Sequence, residues 1–168
     1  MKRLSWLVGP PGSGKSTWAN GLRARCRVVE LNEMLAPLVS PVRMRKGILR
    51  ANGALVRLLR ELELHPENRA LPPLLVVVGL APEDALFPLG DDEEVLLLLP
   101  PRERWEQQLR RRPTGPGSSW QYDDYAYSEQ WYDRFASWPA QSLPCTRLEL
   151  PFEPELLGRI ARPAQREE

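Results

Sequence analysis

The sequence predicts an α/β fold: a single domain with a five-stranded parallel sheet flanked by helices and a short lid. Three observations predict it. Runs such as "LLVVV" and "VLLLL" are apolar at every position rather than at alternate ones, as strands covered on both faces of a parallel sheet are. These runs alternate with stretches of helical apolar spacing, the order of a βαβ chain. A length of 168 residues with 42% apolar side chains supports one core and is too short for two domains.

Strands are predicted at residues 4–8, 28–31, 74–78, 95–99 and 147–150, each a short β-prone run bounded by turn residues. Helices are predicted over 15–25, 42–64, 101–112, 124–138 and 153–161; Ile48, Leu49, Leu55, Leu58, Leu59 and Leu62 give the second its apolar stripe. The Pro, Gly and Ser content of "RPTGPGSSWQYDD", residues 112–124, marks a loop between two helices, the middle of a lid spanning about 102–126. The domain is read as residues 1–162, with "REE" and the residues around it, 163–168, a disordered tail. His65, at a Leu-His-Pro helix end, reads as a C-terminal cap, and "GDDEE" at 90–94 as a charged turn before the fourth strand.

Charge and cysteine usage exclude several classes. The formal net charge is +1, so no global field draws the chain to nucleic acid or to a membrane, and a nucleic-acid acceptor gains no support from charge. Cys26 and Cys145 stand far apart and in no metal-ligand spacing, as reduced thiols of a cytoplasmic protein do. No apolar run reaches membrane-spanning length, and a motif that starts at Gly9 leaves no room for a leader, so a cytoplasmic location with no membrane partner is expected.

That motif carries the chemistry. Gly9-Pro10-Pro11-Gly12-Ser13-Gly14-Lys15-Ser16 matches the phosphate-loop pattern G-x-x-x-x-G-K-S/T, after a predicted strand and before a predicted helix. Gly9, Gly12 and Gly14 let backbone N–H groups wrap a phosphate closely, with Ser13 and Thr17 completing the cradle. Lys15 is expected to neutralise β- and γ-phosphate charge, and the Ser16 hydroxyl to ligate Mg²⁺. ATP or GTP is therefore the expected nucleotide; no motif selects the base.

With this loop on a small five-stranded chain, the sequence resembles the polynucleotide kinase-like and zeta-toxin-like branch of P-loop kinases. The resemblance is carried by "PGSGKSTWA" at 11–19, "VVELNEML" at 28–35, "PPRERWEQQLRRRP" at 100–113 and "YSEQWYDRF" at 127–135. It implies strand order 2-3-1-4-5, a nucleotide at the carboxyl ends of the strands, and a lid arginine on the transferred phosphate. Arg110, Arg111 and Arg112 are the lid candidates, with Arg102 and Arg104 one to two turns earlier. The resemblance also implies an aspartate and an acceptor-gripping arginine after the second strand, where Asn32 and Leu35 stand, and a metal-organising aspartate after the third, where Gly79 stands. An amide cannot act as general base, so Glu30 and Glu33 become the substitute carboxylates, Glu33 the catalytic candidate.

Eight aromatic residues fall within 120–138. Tyr127, Trp131, Phe135 and Trp138 have the spacing of a buried stripe, while Trp120, Tyr122, Tyr125 and Tyr132 lie off it and either pack in the core or stack a base or sugar or anchor a protein partner. Two functions follow. One is an ATP-dependent phosphotransferase, a small kinase with a nucleic-acid or small-molecule hydroxyl acceptor. The other is a catalytically reduced nucleotide-binding subunit, an ATPase or switch that acts through a partner protein.

Overall fold

The computed structural model describes residues 1–35, 41–80, 82–111 and 125–148, with side chains from 47 onward in the second of these stretches. The elements are β1 (Leu4–Val8), α1 (Lys15–Asn20), β2 (Arg27–Glu30), α2 (Leu31–Leu35), α3 (Pro41–Glu63), β3 (Leu74–Val78), α4 (Glu83–Leu86), β4 (Glu93–Leu98), α5 (Arg102–Arg110), α6 (Tyr125–Ala136) and β5 (Thr146–Leu148). The five strands form one parallel sheet in the order β2-β3-β1-β4-β5. The helix predicted at 153–161, the whole of the loop at 112–124 and the tail lie outside the described residues.

Alternation along the central strand divides the core. Leu4, Trp6 and Val8 of β1 face α3 to α6, in a cluster with Val56, Leu86, Trp105, Phe135 and Trp138. Leu7 faces the other way, with Trp18, Leu22, Val77 and Leu96, under α1. Both faces of β1 are thus buried, which is why its sequence shows no polar alternation beyond Ser5.

Beyond shifts of one or two residues at element ends, four places differ from the sequence reading. After Asn20 the chain turns by Gly21 N–H to Trp18 C=O at 3.2 Å and Leu22 N–H to Ala19 C=O at 3.0 Å, so the expected helix to 25 tightens and ends at the poor helix former Gly21. Leu31 opens a helix instead of closing β2. His65 caps the 3₁₀ turn that follows it, its Nδ1 accepting from Glu67 N–H at 3.4 Å, rather than the helix before it. The acids at 93–94 form no solvated turn but start β4. Glu93 is buried there and accepts from Trp6 Nε1 at 3.0 Å, Arg60 Nε at 2.6 Å and the Gly90 N–H at 2.7 Å. Arg60 also donates to the Ala85 and Leu86 carbonyls at 2.7 and 2.8 Å, which ties α3 to α4 and to the amino ends of β1 and β4. This polar staple sits at the opposite end of the sheet from the phosphate loop.

Candidate functional site

The phosphate loop leaves the carboxyl end of β1, at the centre of the sheet, and is shaped by its glycines. A Cβ at Gly9 would lie 2.3 Å from the Leu98 carbonyl oxygen and 2.9 Å from Ser13 Oγ, so no larger residue lets the loop cross β4 this closely. Gly14 has φ +95° and caps α1 in the left-handed region. Lys15 folds back over the loop: Nζ donates to the Gly9 and Pro10 carbonyls, each at 2.8 Å, and to Ser13 Oγ at 3.3 Å. Ser16 and Thr17 are exposed at the start of α1.

The second strand delivers a carboxylate to this loop, and it is Glu30. Ser16 Oγ donates to Glu30 Oε2 at 3.1 Å. Glu33 lies on α2, exposed and without a hydrogen bond or ion pair among the described residues. Asn32 and Gly79 stand beside each other, the Asn32 Nδ2 being 3.6 Å from where a Gly79 Cβ would sit. The two positions at which the resemblance implies acids therefore meet, at the ends of β2 and β3, with an amide and no side chain.

On the other flank α5 lies directly on the loop. Trp105 is fully buried, its Nε1 donating to the Pro11 carbonyl at 2.6 Å. One turn later, Leu109 Cδ1 is 3.1 Å from the Cβ position of Gly12. Arg110 and Arg111 follow, exposed and unpaired among the described residues; Arg112 lies outside them. Arg102 is not available in the same way. Its guanidinium pairs with Glu129 at 2.5 Å and Asp133 at 2.8 Å, the first of these the chief reason its acidity is pushed further down, and it ties α5 to α6.

The aromatic segment joins the core. Trp131, Tyr132, Phe135 and Trp138 are all buried. Tyr132, off the stripe and open to either core packing or a ligand or partner contact, packs on Trp105 with ring centroids 4.6 Å apart and donates its hydroxyl to the Pro100 carbonyl at 2.7 Å, so it serves packing. Tyr125 is 43% exposed, with its hydroxyl on Glu106 at 2.6 Å. Trp120 and Tyr122 lie outside the described residues. Among the described residues no helix is long and apolar enough to cross a membrane, and no cluster of three or more His, Cys, Asp or Glu side chains forms a metal site. Sequence reasoning missed Trp105, whose position on the inner face of α5 was legible but whose target on a loop nearly a hundred residues away was not.

No family model matches the chain, and no curated protein matches it in sequence. Solved structures do match in fold. A sugar kinase from Janibacter sp. HTCC2649 superposes with a TM-score of 0.60 at 16% identity, covering 96% of this chain and 92% of that one. Shikimate kinase from Acinetobacter baumannii, in complex with shikimate, gives a TM-score of 0.60 at 17% identity over 94% of this chain and 89% of its own. Shikimate kinase from Aquifex aeolicus gives 0.56 at 15% identity, over 94% and 92%. The chain thus has the fold of small P-loop kinases; these likenesses do not single out the polynucleotide kinase-like branch.

Proposed function

We propose that the protein is a small phosphotransferase that passes the γ-phosphoryl group of Mg²⁺-bound ATP or GTP to a hydroxyl acceptor. The observation that carries this reading is the convergence on one loop of Lys15, of Ser16 with Glu30 at 3.1 Å, and of the carboxyl end of α5 with its arginines. Ser16 and Glu30 supply hard oxygen donors of the kind Mg²⁺ takes, and an ion shared with phosphate oxygens and water needs few protein ligands. When bound, the ion neutralises charge on the β- and γ-phosphate oxygens. Lys15 adds its own charge to the same oxygens. An arginine among Arg110, Arg111 and Arg112 stabilises charge that develops as the acceptor oxygen bonds to phosphorus and the bond to the β-phosphate oxygen breaks. Glu33, exposed just beyond β2, takes the acceptor's proton.

A small-molecule acceptor is the better supported class. The matched kinases are named for small-molecule acceptors, and a net charge of +1 with Leu35 in place of an acceptor-gripping arginine lends a nucleic-acid 5′-hydroxyl little support. The second reading is a nucleotide-holding subunit without transfer chemistry, favoured by the contact of Asn32 with Gly79 where acids are implied. Labelled ATP incubated with the protein, Mg²⁺ and a panel of polyols, sugars, hydroxy acids and oligonucleotides separates the two. Label on an acceptor is expected; nucleotide binding with no labelled product across the panel leaves the subunit reading.

A further inference from the structure

We propose that Trp105 is a positioning residue for the phosphate loop: its indole N–H fixes the Pro11–Gly12 peptide so that the Gly12 N–H faces a bound phosphate. The inference rests on the reading of this loop as the phosphate site. Residues 10–13 form a β-turn, closed by the Ser13 N–H on the Pro10 carbonyl at 3.2 Å. Gly12 occupies its third position with φ +76°, the type II arrangement. Type I and type II turns differ by a flip of the central peptide, here Pro11–Gly12. Because a trans peptide is planar, its C=O and N–H point opposite ways, and holding one aims the other.

Trp105 holds the carbonyl, at 2.6 Å and out of water. The indole is itself held, by Tyr132 at 4.6 Å and Tyr125 at 6.0 Å between ring centroids. Leu109, on the next turn of α5, closes over Gly12 with Cα and Cδ1 3.4 and 3.1 Å from its Cβ position. The preceding carbonyls, of Gly9 and Pro10, are occupied by Lys15. Three consecutive carbonyl dipoles are thus drawn onto protein donors and away from an incoming anion. Pro10 and Pro11 have no N–H, so the first backbone donor after Gly9 is that of Gly12, the one Trp105 orients. Without the indole donor the central peptide is free to flip, which would present the Pro11 carbonyl to the phosphate and withdraw the Gly12 N–H.

The test uses the full chain, calorimetric titration with inorganic pyrophosphate and with Mg·ADP, thermal melting, and the Gly12 amide resonance. Trp105→Phe keeps an aromatic ring against Tyr132 but loses both the donor and the bulk of the second ring; 3-benzothienylalanine placed at 105 removes the donor alone, with the indole's own shape, and serves if the Phe variant unfolds. Both replacements are expected to weaken both ligands roughly five- to tenfold, the yield of one buried hydrogen bond, and to shift the Gly12 amide, while the benzothienyl protein melts as the parent does. Unchanged affinity in a folded variant, or an affinity loss matched by general destabilisation with the Gly12 amide unmoved, overturns the proposal. A parent protein that binds neither ligand overturns instead the phosphate-site reading on which it rests.

Discussion

Lys15 is only 9% exposed, a costly place for an ammonium, and it is tolerated because two carbonyls and a hydroxyl surround it. Its ammonium is held by loop oxygens, so truncation removes chiefly a charge from the loop. Lys15→Ala is expected to weaken Mg·ATP binding at least about tenfold in calorimetry, with the far-ultraviolet circular dichroism of the parent retained. Glu30→Gln makes the complementary change: the amide oxygen still accepts from Ser16, but the negative charge is gone. Affinity for Mn²⁺ in the nucleotide complex, read by electron paramagnetic resonance, should fall about fivefold, while metal-free nucleotide binds no more weakly than before. Which of Glu30 and Glu33 meets Ser16 turned on where β2 stops. A strand ending at residue 31 leaves both open; ending at Glu30 and passing Leu31 to a helix, it points the first carboxylate at Ser16 and carries the second into solvent. A one-residue boundary is finer than residue patterns resolve, so the loop was legible and its carboxylate was not.

At the scale of elements, α6 shows both what periodicity reads and what it misses. Trp131, Phe135 and Trp138 repeat at helical spacing and are buried as that spacing requires. Tyr132 breaks the stripe and is buried all the same, because the backbone carbonyl of Pro100, in the connection between β4 and α5, satisfies its hydroxyl. Glu93 is the same kind of miss: among acids at a strand start, burial follows from Arg60 and Trp6, which lie far off in sequence. The seam between α6 and α4 is also polar. Burial alone would raise the Glu83 carboxyl, but bonds from Arg134 at 2.6 Å and Trp138 Nε1 at 3.1 Å outweigh it and hold Glu83 below its usual range. A carboxylate whose folded value is depressed stabilises the fold above its unfolded value, and that contribution is lost as pH falls through the folded one. Melting temperature followed from neutral pH into the acid range should therefore show the parent above Glu83→Gln at pH 7, the gap closing below about pH 4. A gap that stays constant with pH would mean that Glu83 acts through packing alone.

For the whole molecule, strand order decides which groups can meet at the nucleotide. β1 lies at the centre, between β3 and β4, so its carboxyl-terminal loop is reached from one side by the ends of β2 and β3 and from the other by the helix that leaves β4. The all-apolar strands announced the parallel sheet, and the phosphate motif fixed which strand end carries the site. The packing of α5 on that loop came only with the tertiary contacts of Trp105 and Leu109. It has a consequence for transfer chemistry. With Leu109 against Gly12, the next residues of the chain, Arg110 and Arg111, start beside the phosphate loop however residues 112–124 are arranged, and neither is paired among the described residues, unlike Arg102. If the protein transfers a phosphoryl group, one of Arg110, Arg111 and Arg112 supplies the stabilising charge that no acid at Gly79 organises through the metal. Single replacement by alanine should then lower the transfer rate roughly a hundredfold or more at one position, with nucleotide affinity changed far less, because the interaction forms chiefly in the transition state. Three uniformly small effects would leave the arginines as solvated ends of a helix and favour the subunit that holds a nucleotide without passing on its phosphate.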